Sequence, residues 1–414
     1  MTSALSPRQK RAYEANVWKF YVHTFLLNFQ LWWPIWIIYL QEERGLSLGQ
    51  ITLMDVPFWL SIIILQIPAA AAADRWGRKP ALMLGALLWA AAVTVFGLAD
   101  TYALLLLSYL IWGVAIALLT GADSAFLYDS LKALGREGEY QKLYGGAWAI
   151  ISAAGLAGTL IGAPLAAATS LPLPIVLSGG IAFLGVLAAA TFTEPAPEVR
   201  ADQGLSYTRL MRESLQLVAR QANVRYAILF FGIVVAIGSI APIFFFQPFL
   251  VHHGISLGQM GFWQTPARIM GILGALITYR VVATLGKQAT FYLMPIVLVA
   301  SYALLAAWDS VYAQVSFPVM TLVAVMARPA ITDYLNQRVP TIHRATIISL
   351  TNLMYSLLLI PIAPVLGAIA DQSLAAAFWA GAAILGVGAI AILPLWTRAM
   401  ARERLVAEEE RVAL

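Results

Sequence analysis

Apolar runs of about 20 residues recur from one end of this chain to the other, and each is long enough to cross a hydrocarbon core of about 30 Å as a helix. No water reaches such a core, so every backbone N–H and C=O must be satisfied within the protein. Barrel strands would alternate in polarity over about ten residues, and these runs do not. The expected fold is an all-α membrane protein with twelve spans, at 18–40, 50–73, 80–98, 103–129, 144–168, 173–193, 225–250, 258–280, 288–307, 310–335, 344–370 and 374–397. The charged fraction agrees: it is 11%, where a soluble domain carries roughly a quarter. The first run is too long for the apolar region of a cleavable signal peptide, roughly 7–15 residues, and no small-residue cleavage site closes it.

Positive charge orients the spans. With the amino terminus in the cytoplasm, 23 of the 26 Lys and Arg fall in cytoplasmic segments. Only Arg44 falls outside, and Arg268 and Arg328 fall inside spans. Both termini are therefore expected in the cytoplasm, with the chain in a bacterial cytoplasmic (inner) membrane. The net charge of +5 follows from this topology and is no nucleic-acid footprint. The absence of Cys excludes disulfides and thiolate chemistry.

A repeat divides the chain. GLSLGQ at 45–50 returns as GISLGQ at 254–259. At the same offset Asp55 meets Gln264, Pro57 meets Pro266, Gly77 meets Gly286 and Arg78 meets Lys287. Further on, YDSL from Tyr128 meets TDYL from Thr332, and GAPLA from Gly162 meets GAIAD from Gly367. The expected organisation is two homologous halves of six helices in parallel orientation, 1–193 and 225–414, joined by a cytoplasmic linker at 194–224. Internal repeats of this kind are the architecture of secondary transporters, whose sites lie near the midplane. Duplication alone would also leave a repeat, and a duplicated bundle can serve as a sensor or an enzyme.

The loop between the second and third spans, AAAADRWGRKPALMLG from Ala70 to Gly85, resembles the signature loop of the major facilitator superfamily, G-x-x-x-D-R-x-G-R-[KR]. Asp74, Arg75, Gly77, Arg78 and Lys79 match, while Ala70 stands where the family usually has Gly. The second copy, Gly274 to Gln288, keeps Gly274, Gly286 and Lys287. The resemblance extends over the whole chain through the 6+6 layout. It implies alternating access around a central cavity, with the third helix of each triplet facing lipid. The four third spans indeed lack an ionisable residue in their cores. It also implies a charge cluster of Asp74, Arg78 and Asp129 that latches the halves when the cavity faces outward; the alternative is a set of residues that only anchors the loop. Helix 5, GLAGTLIGAPLAA, loosely resembles the G-x-x-x-G-P-x-x-G-G motif of the family's drug/proton antiporters, and general close packing of small residues explains it as well.

Polar residues inside spans are costly and usually face protein or a wet cavity. Arg268 lies eleven residues into the eighth span, about 16 Å deep. Gln264 is four residues earlier and shares its face. These two suit a site for an anionic group, or a structural ion pair. Asn28, Gln30 and Trp33 in the first span and Gln247 in the seventh alternate with aromatics, which suits a bulky amphipathic ligand; an interfacial aromatic belt is the other reading. His23 reads as structural. Asp55 near the outer end of span 2, and Asp123, six residues or about 9 Å deeper than Asp129, are candidate proton carriers. The alternatives are a helix-start residue for Asp55 and membership of the charge cluster for Asp123. Arg328 and Asp333 in the tenth span read as gate residues.

No metal-spaced His/Cys cluster, phosphate-binding glycine loop or nucleotide motif is legible, so neither catalysis nor a cofactor is expected. Transport would then draw on an ion gradient or the substrate's own. The leading expectation is proton-coupled export of an amphipathic small molecule or drug by a monomer. Uptake or facilitated diffusion of an anionic metabolite is the alternative, and a non-transporting receptor is the alternative of another class.

Overall fold

The computed structural model describes residues 5–195 and 207–413, so residues 196–206 of the predicted linker lie outside the description. The chain is 88% helical. Among the described residues there is no strand, and eleven helices are long and apolar enough to cross a membrane. The chain divides into two compact units.

The first unit comprises Met1–Leu46, Met54–Arg200 and Gly254–Thr265. Its helices are α1 (Pro7–Asn28), α2 (Asp55–Trp76), α3 (Arg78–Leu98), α4 (Tyr102–Leu119), α5 (Ala122–Ala133), α6 (Tyr140–Ala168) and α7 (Pro172–Ala190). α1 starts at a capping box: Gln9 N–H donates to Ser6 Oγ at 3.3 Å, Ser6 N–H donates to Gln9 Oε1 at 3.0 Å, and Pro7 needs no partner. α3 packs on α4 and α7, α2 on α4, and α1 on α6 and α7. Phe20, Phe126 and Phe192 fill the core where α1, α5 and the end of α7 meet, with Phe126 and Phe192 stacked at 4.4 Å. Asn16, fully buried beside them, ties α1 to α5 and to the chain beyond α7 by donating to Ser130 Oγ at 3.0 Å and Thr193 O at 2.8 Å. His23 is structural as expected, its Nδ1 2.9 Å from Gly185 O.

Several predicted spans are not single helices. The first, 18–40, is interrupted: α1 stops at Asn28, and helix resumes only at Trp36, passing into a π-helical turn at Tyr39–Glu43. Pro34 lies in the break and lacks an N–H to continue the ladder. Outside partners satisfy the freed groups. Leu31 N–H donates to Ser178 Oγ at 3.0 Å, and Pro34 O accepts from Gln264 Nε2 at 2.9 Å. The glycines of α6 admit this broken backbone, because a Cβ on Gly162 would lie 1.8 Å from Leu31 O and one on Gly158 would lie 2.7 Å from Gln30 O. The fourth span, 103–129, breaks between α4 and α5 at Gly121, whose φ of +87° suits a residue without Cβ.

The second unit comprises Ser47–Leu53, Ala201–His253 and Pro266–Leu414. Its helices are α8 (Tyr207–Arg220), α9 (Ala222–Ile240), α10 (Phe246–His252), α11 (Met260–Leu285, whose first turns belong to the first unit), α12 (Lys287–Ala307), α13 (Ser316–Asn336), α14 (Thr341–Ala370) and α15 (Leu374–Ala413). α9 packs on α13, α14 and α15, and α12 packs on α15. The buried rings of Phe230, Phe291, Tyr334 and Trp396 form the core, and Trp396 Nε1 donates to Tyr334 Oη at 3.0 Å. The amphipathic α8 docks on α14 through Ser214 Oγ and His343 Nδ1, 3.0 Å apart. The repeated hexapeptide acquires a role here. The short helix Leu48–Leu53 that its first copy opens packs on α14, with Gly49 N–H donating to the Asp371 carboxylate at 3.2 Å. The turn opened by its second copy, Leu257–Gln259, packs on α6.

Candidate functional site

A narrow aromatic slot of about 20 Å³, room for roughly one water, lies in the first unit, lined by Trp32, Ala92, Val93, Phe96, Ser108, Tyr109 and Trp112. Three local features build it. The break after α1 turns Trp32 inward, where its ring meets Trp112 edge-on at 5.6 Å and Phe96 at 6.4 Å. On α4, Tyr109 and Trp112 are three residues apart and share a face. On α2, Phe58 closes the wall, 4.9 Å from Trp112 and 6.5 Å from Tyr109. The indole N–H groups of Trp32 and Trp112 are buried without a hydrogen-bond partner among the described residues. An unsatisfied buried donor costs about 1–3 kcal/mol, so each can reward a ligand that brings an acceptor. Asp55 begins α2 three residues before Phe58, on the same face, and accepts from Trp59 Nε1 at 3.2 Å.

The other predicted cavity residues are dispersed. Asn28 spends its amide on its own helix, donating to Thr24 O at 2.8 Å. Gln30 presents backbone to Gly158, and the half-buried Trp33 rests against Trp32 at 5.4 Å. Gln264 is buried and holds the break through Pro34 O. Arg268, one turn along α11, is partly buried and belongs to the second unit, as does the fully buried Gln247 of α10. Asp123 sits in the first turn of α5, where its Oδ1 accepts from Ser124 N–H at 2.6 Å.

The predicted charge cluster exists within the first unit. Arg78 donates to Asp74 Oδ1 at 2.6 Å, and its Nε lies 3.5 Å from Asp129 Oδ2. Arg75 is exposed. A residue that sequence reading assigned to the linker completes it. The Glu194 carboxylate accepts from the backbone N–H of both Arg78 and Lys79, at 2.6 Å each, and so caps α3. Gly77, at φ +104°, makes the turn and leaves room for that carboxylate, since a Cβ there would lie 2.9 Å from Glu194 Oε1.

The second unit repeats the geometry with other residues. Gly286, at φ +80°, precedes α12, and Lys287 Nζ lies 2.7 Å from Asp333 Oδ2 and donates to Gln337 Oε1 at 2.7 Å. Arg328 and Asp333 were expected to act as one gate, and their partners separate them. Arg328 donates to Asn352 Oδ1 at 2.9 Å and lies over the Phe231 ring. Five residues on one helix are about 140° apart around the axis, which points the two side chains away from each other.

A sequence model of the Major Facilitator Superfamily matches residues 22–364. The chain belongs to that superfamily. Its fold is that of solved members. The nucleoside transporter NupG superposes with a TM-score of 0.77 at 13% identity, over 92% of this chain and 98% of that one. A bacterial homolog of the human lysosomal transporter Spinster superposes with a TM-score of 0.71 at 16% identity, over 96% and 98%. The POT family transporter PepTSo gives 0.71 at 10% identity, over 96% and 99%. No curated protein matches the chain. As a superfamily member it is a secondary transporter of small molecules, an integral membrane protein with twelve helices in a 6+6 arrangement. Sequence reading missed Tyr109, Trp112 and Glu194. The first two had a signal, two amphipathic aromatics at helical spacing in an otherwise aliphatic span; Glu194 had none, because its role depends on a contact 116 residues away.

Proposed function

We propose that this transporter exports amphipathic small molecules in exchange for protons, with both termini in the cytoplasm. The aromatic slot is the observation that supports it. Widened to admit such a substrate, its rings would face the flat apolar part, and the indole donors of Trp32 and Trp112 would meet one or two acceptor atoms on its edge. Asp55 stands beside this wall as the residue that exchanges a proton and competes with a cationic substrate. Arg268 in the apolar α11 supports a second reading, uptake of an anionic metabolite.

The test is accumulation of a panel of fluorescent lipophilic dyes in expressing cells, with and without a protonophore. Wild type should hold less dye, and the protonophore or Asp55→Asn should restore it. Trp112→Ala should raise the half-saturating dye concentration more than it lowers the maximal rate. Dye levels that ignore the protonophore and both variants would refute export, while proton-independent uptake of small anions lost in Arg268→Ala would establish the second reading.

A further inference from the structure

The end of α10 and the loop after α12 bring together three metal-ligating side chains that lie 56 residues apart in sequence. His253 Nε2 is 3.2 Å from Asp309 Oδ1, and His252 Nε2 is 3.6 Å from the same oxygen. All three ligand atoms lie within 4.8 Å of one another. A tetrahedral ion with ligand bonds of about 2.0–2.2 Å has ligands about 3.3–3.6 Å apart, close to the spacing of both His–Asp pairs.

The chemistry of His253 sharpens the geometry. Its Nδ1 is 2.9 Å from Phe249 O, a carbonyl that can only accept, so Nδ1 carries the hydrogen. In the neutral ring Nε2 is then a lone pair, buried and without a hydrogen-bond partner, facing a carboxylate oxygen. Two acceptors at that distance repel unless a proton on Nε2 or a metal cation lies between them. A backbone carbonyl fixing the tautomer of a ligating histidine is also the usual outer support of a metal site. The ring is held against Phe249, tilted at 38° with centroids 4.3 Å apart, and is only 11% exposed, whereas His252 and Asp309 are open to solvent and leave room for a water as fourth ligand.

We propose that His252, His253 and Asp309 form a binding site for a divalent transition metal of the zinc class, with two imidazoles, one carboxylate and a water. Two nitrogens and one oxygen suit zinc, nickel or copper and not calcium or magnesium, which want oxygen ligands. A bound ion would tie the end of α10 to the α12–α13 loop.

The experiment is zinc titration of the purified, tag-free chain in detergent against a chromophoric chelator, with cobalt absorption as a report of coordination number. Wild type should take up one zinc per chain, and cobalt should show the intense visible bands of a four-coordinate ion. His253→Ala and Asp309→Asn should each weaken binding by about 100-fold. His343→Ala, a histidine that faces Ser214 on another helix, should leave binding intact. All four proteins should elute as the same monodisperse species. Equal zinc uptake by wild type and His253→Ala, no uptake by wild type, or calcium binding as tight as zinc would each overturn the proposal.

Discussion

Replacing Gly162 by Ala tests whether the break after α1 is held by backbone contact with α6. The added Cβ would fall 1.8 Å from Leu31 O, 2.7 Å from Leu31 C and 3.0 Å from Leu31 Cα. Non-bonded carbon contacts settle at about 3.5 Å, so one backbone must retreat by roughly 1.5 Å. Both partners are main chain, and no flexible side chain can swing aside. Overpacking costs about 1–3 kcal/mol where side chains can still adjust, and the rigid case belongs at the upper end. Moving Leu31 also strains its hydrogen bond to Ser178, worth about 1 kcal/mol. Against this, Ala gains about 1 kcal/mol over Gly inside a helix. The net expectation is a loss of about 3 kcal/mol.

The matched control is Gly180→Ala on α7, where a Cβ meets nothing within 4 Å. There only the helix-propensity gain remains, so that variant should be as stable as wild type or slightly more so. Thermal unfolding in detergent, followed by size exclusion, reads both. Gly162→Ala should melt about 5 °C or more below wild type. If it melts with Gly180→Ala, the contact with Leu31 is not what the glycine serves, and the account of the break fails.

Two further outcomes follow from the charge clusters. Glu194→Gln keeps the shape but removes the charge that caps α3, and should cost about 1–2 kcal/mol of thermal stability while leaving substrate affinity unchanged; unaltered stability would mean that solvent caps the helix as well as Glu194 does. Lys287→Asp together with Asp333→Lys should recover most of the turnover that either change alone removes, measured as dye flux at saturation, and a double variant no better than the singles would show that the pair is not the functional contact.

What was legible in the sequence was whatever has a period or a length. Apolar runs outlined the spans, and the 209-residue offset exposed the duplication. The signature loop predicted the Asp74–Arg78–Asp129 cluster by residue. The breaks were not legible. Pro34 and Gly121 sit in apolar runs whose hydropathy is blind to a lost backbone bond, and at the first break the replacing bonds come from Ser178 and Gln264, distant in sequence. The aromatic slot exists because the first break turns Trp32 toward α4, which a reading that assumed one straight helix had no means to foresee. The His252–His253–Asp309 triad failed for the same reason: metal spacing is a local pattern, and Asp309 arrives through the fold.

The two signature loops show what duplication preserves. The first copy retains the family residues and the second has lost most of them, yet each unit has a positive-φ glycine before its third long helix and a basic residue paired with an aspartate. The partners differ in kind. Arg78 spans two carboxylates with its planar fork, while Lys287, a point charge, meets one carboxylate and an amide. Glu194 caps the helix after the first loop, and no described side chain is bonded to the first N–H groups of α12 after the second. The loop of the first unit is therefore held by its backbone as well as its charge, and that of the second by the side-chain contacts of Lys287. If one of the two yields first during transport, the physical asymmetry assigns it to the second unit, where a single ion pair of Lys287 and Asp333 separates without uncapping a helix.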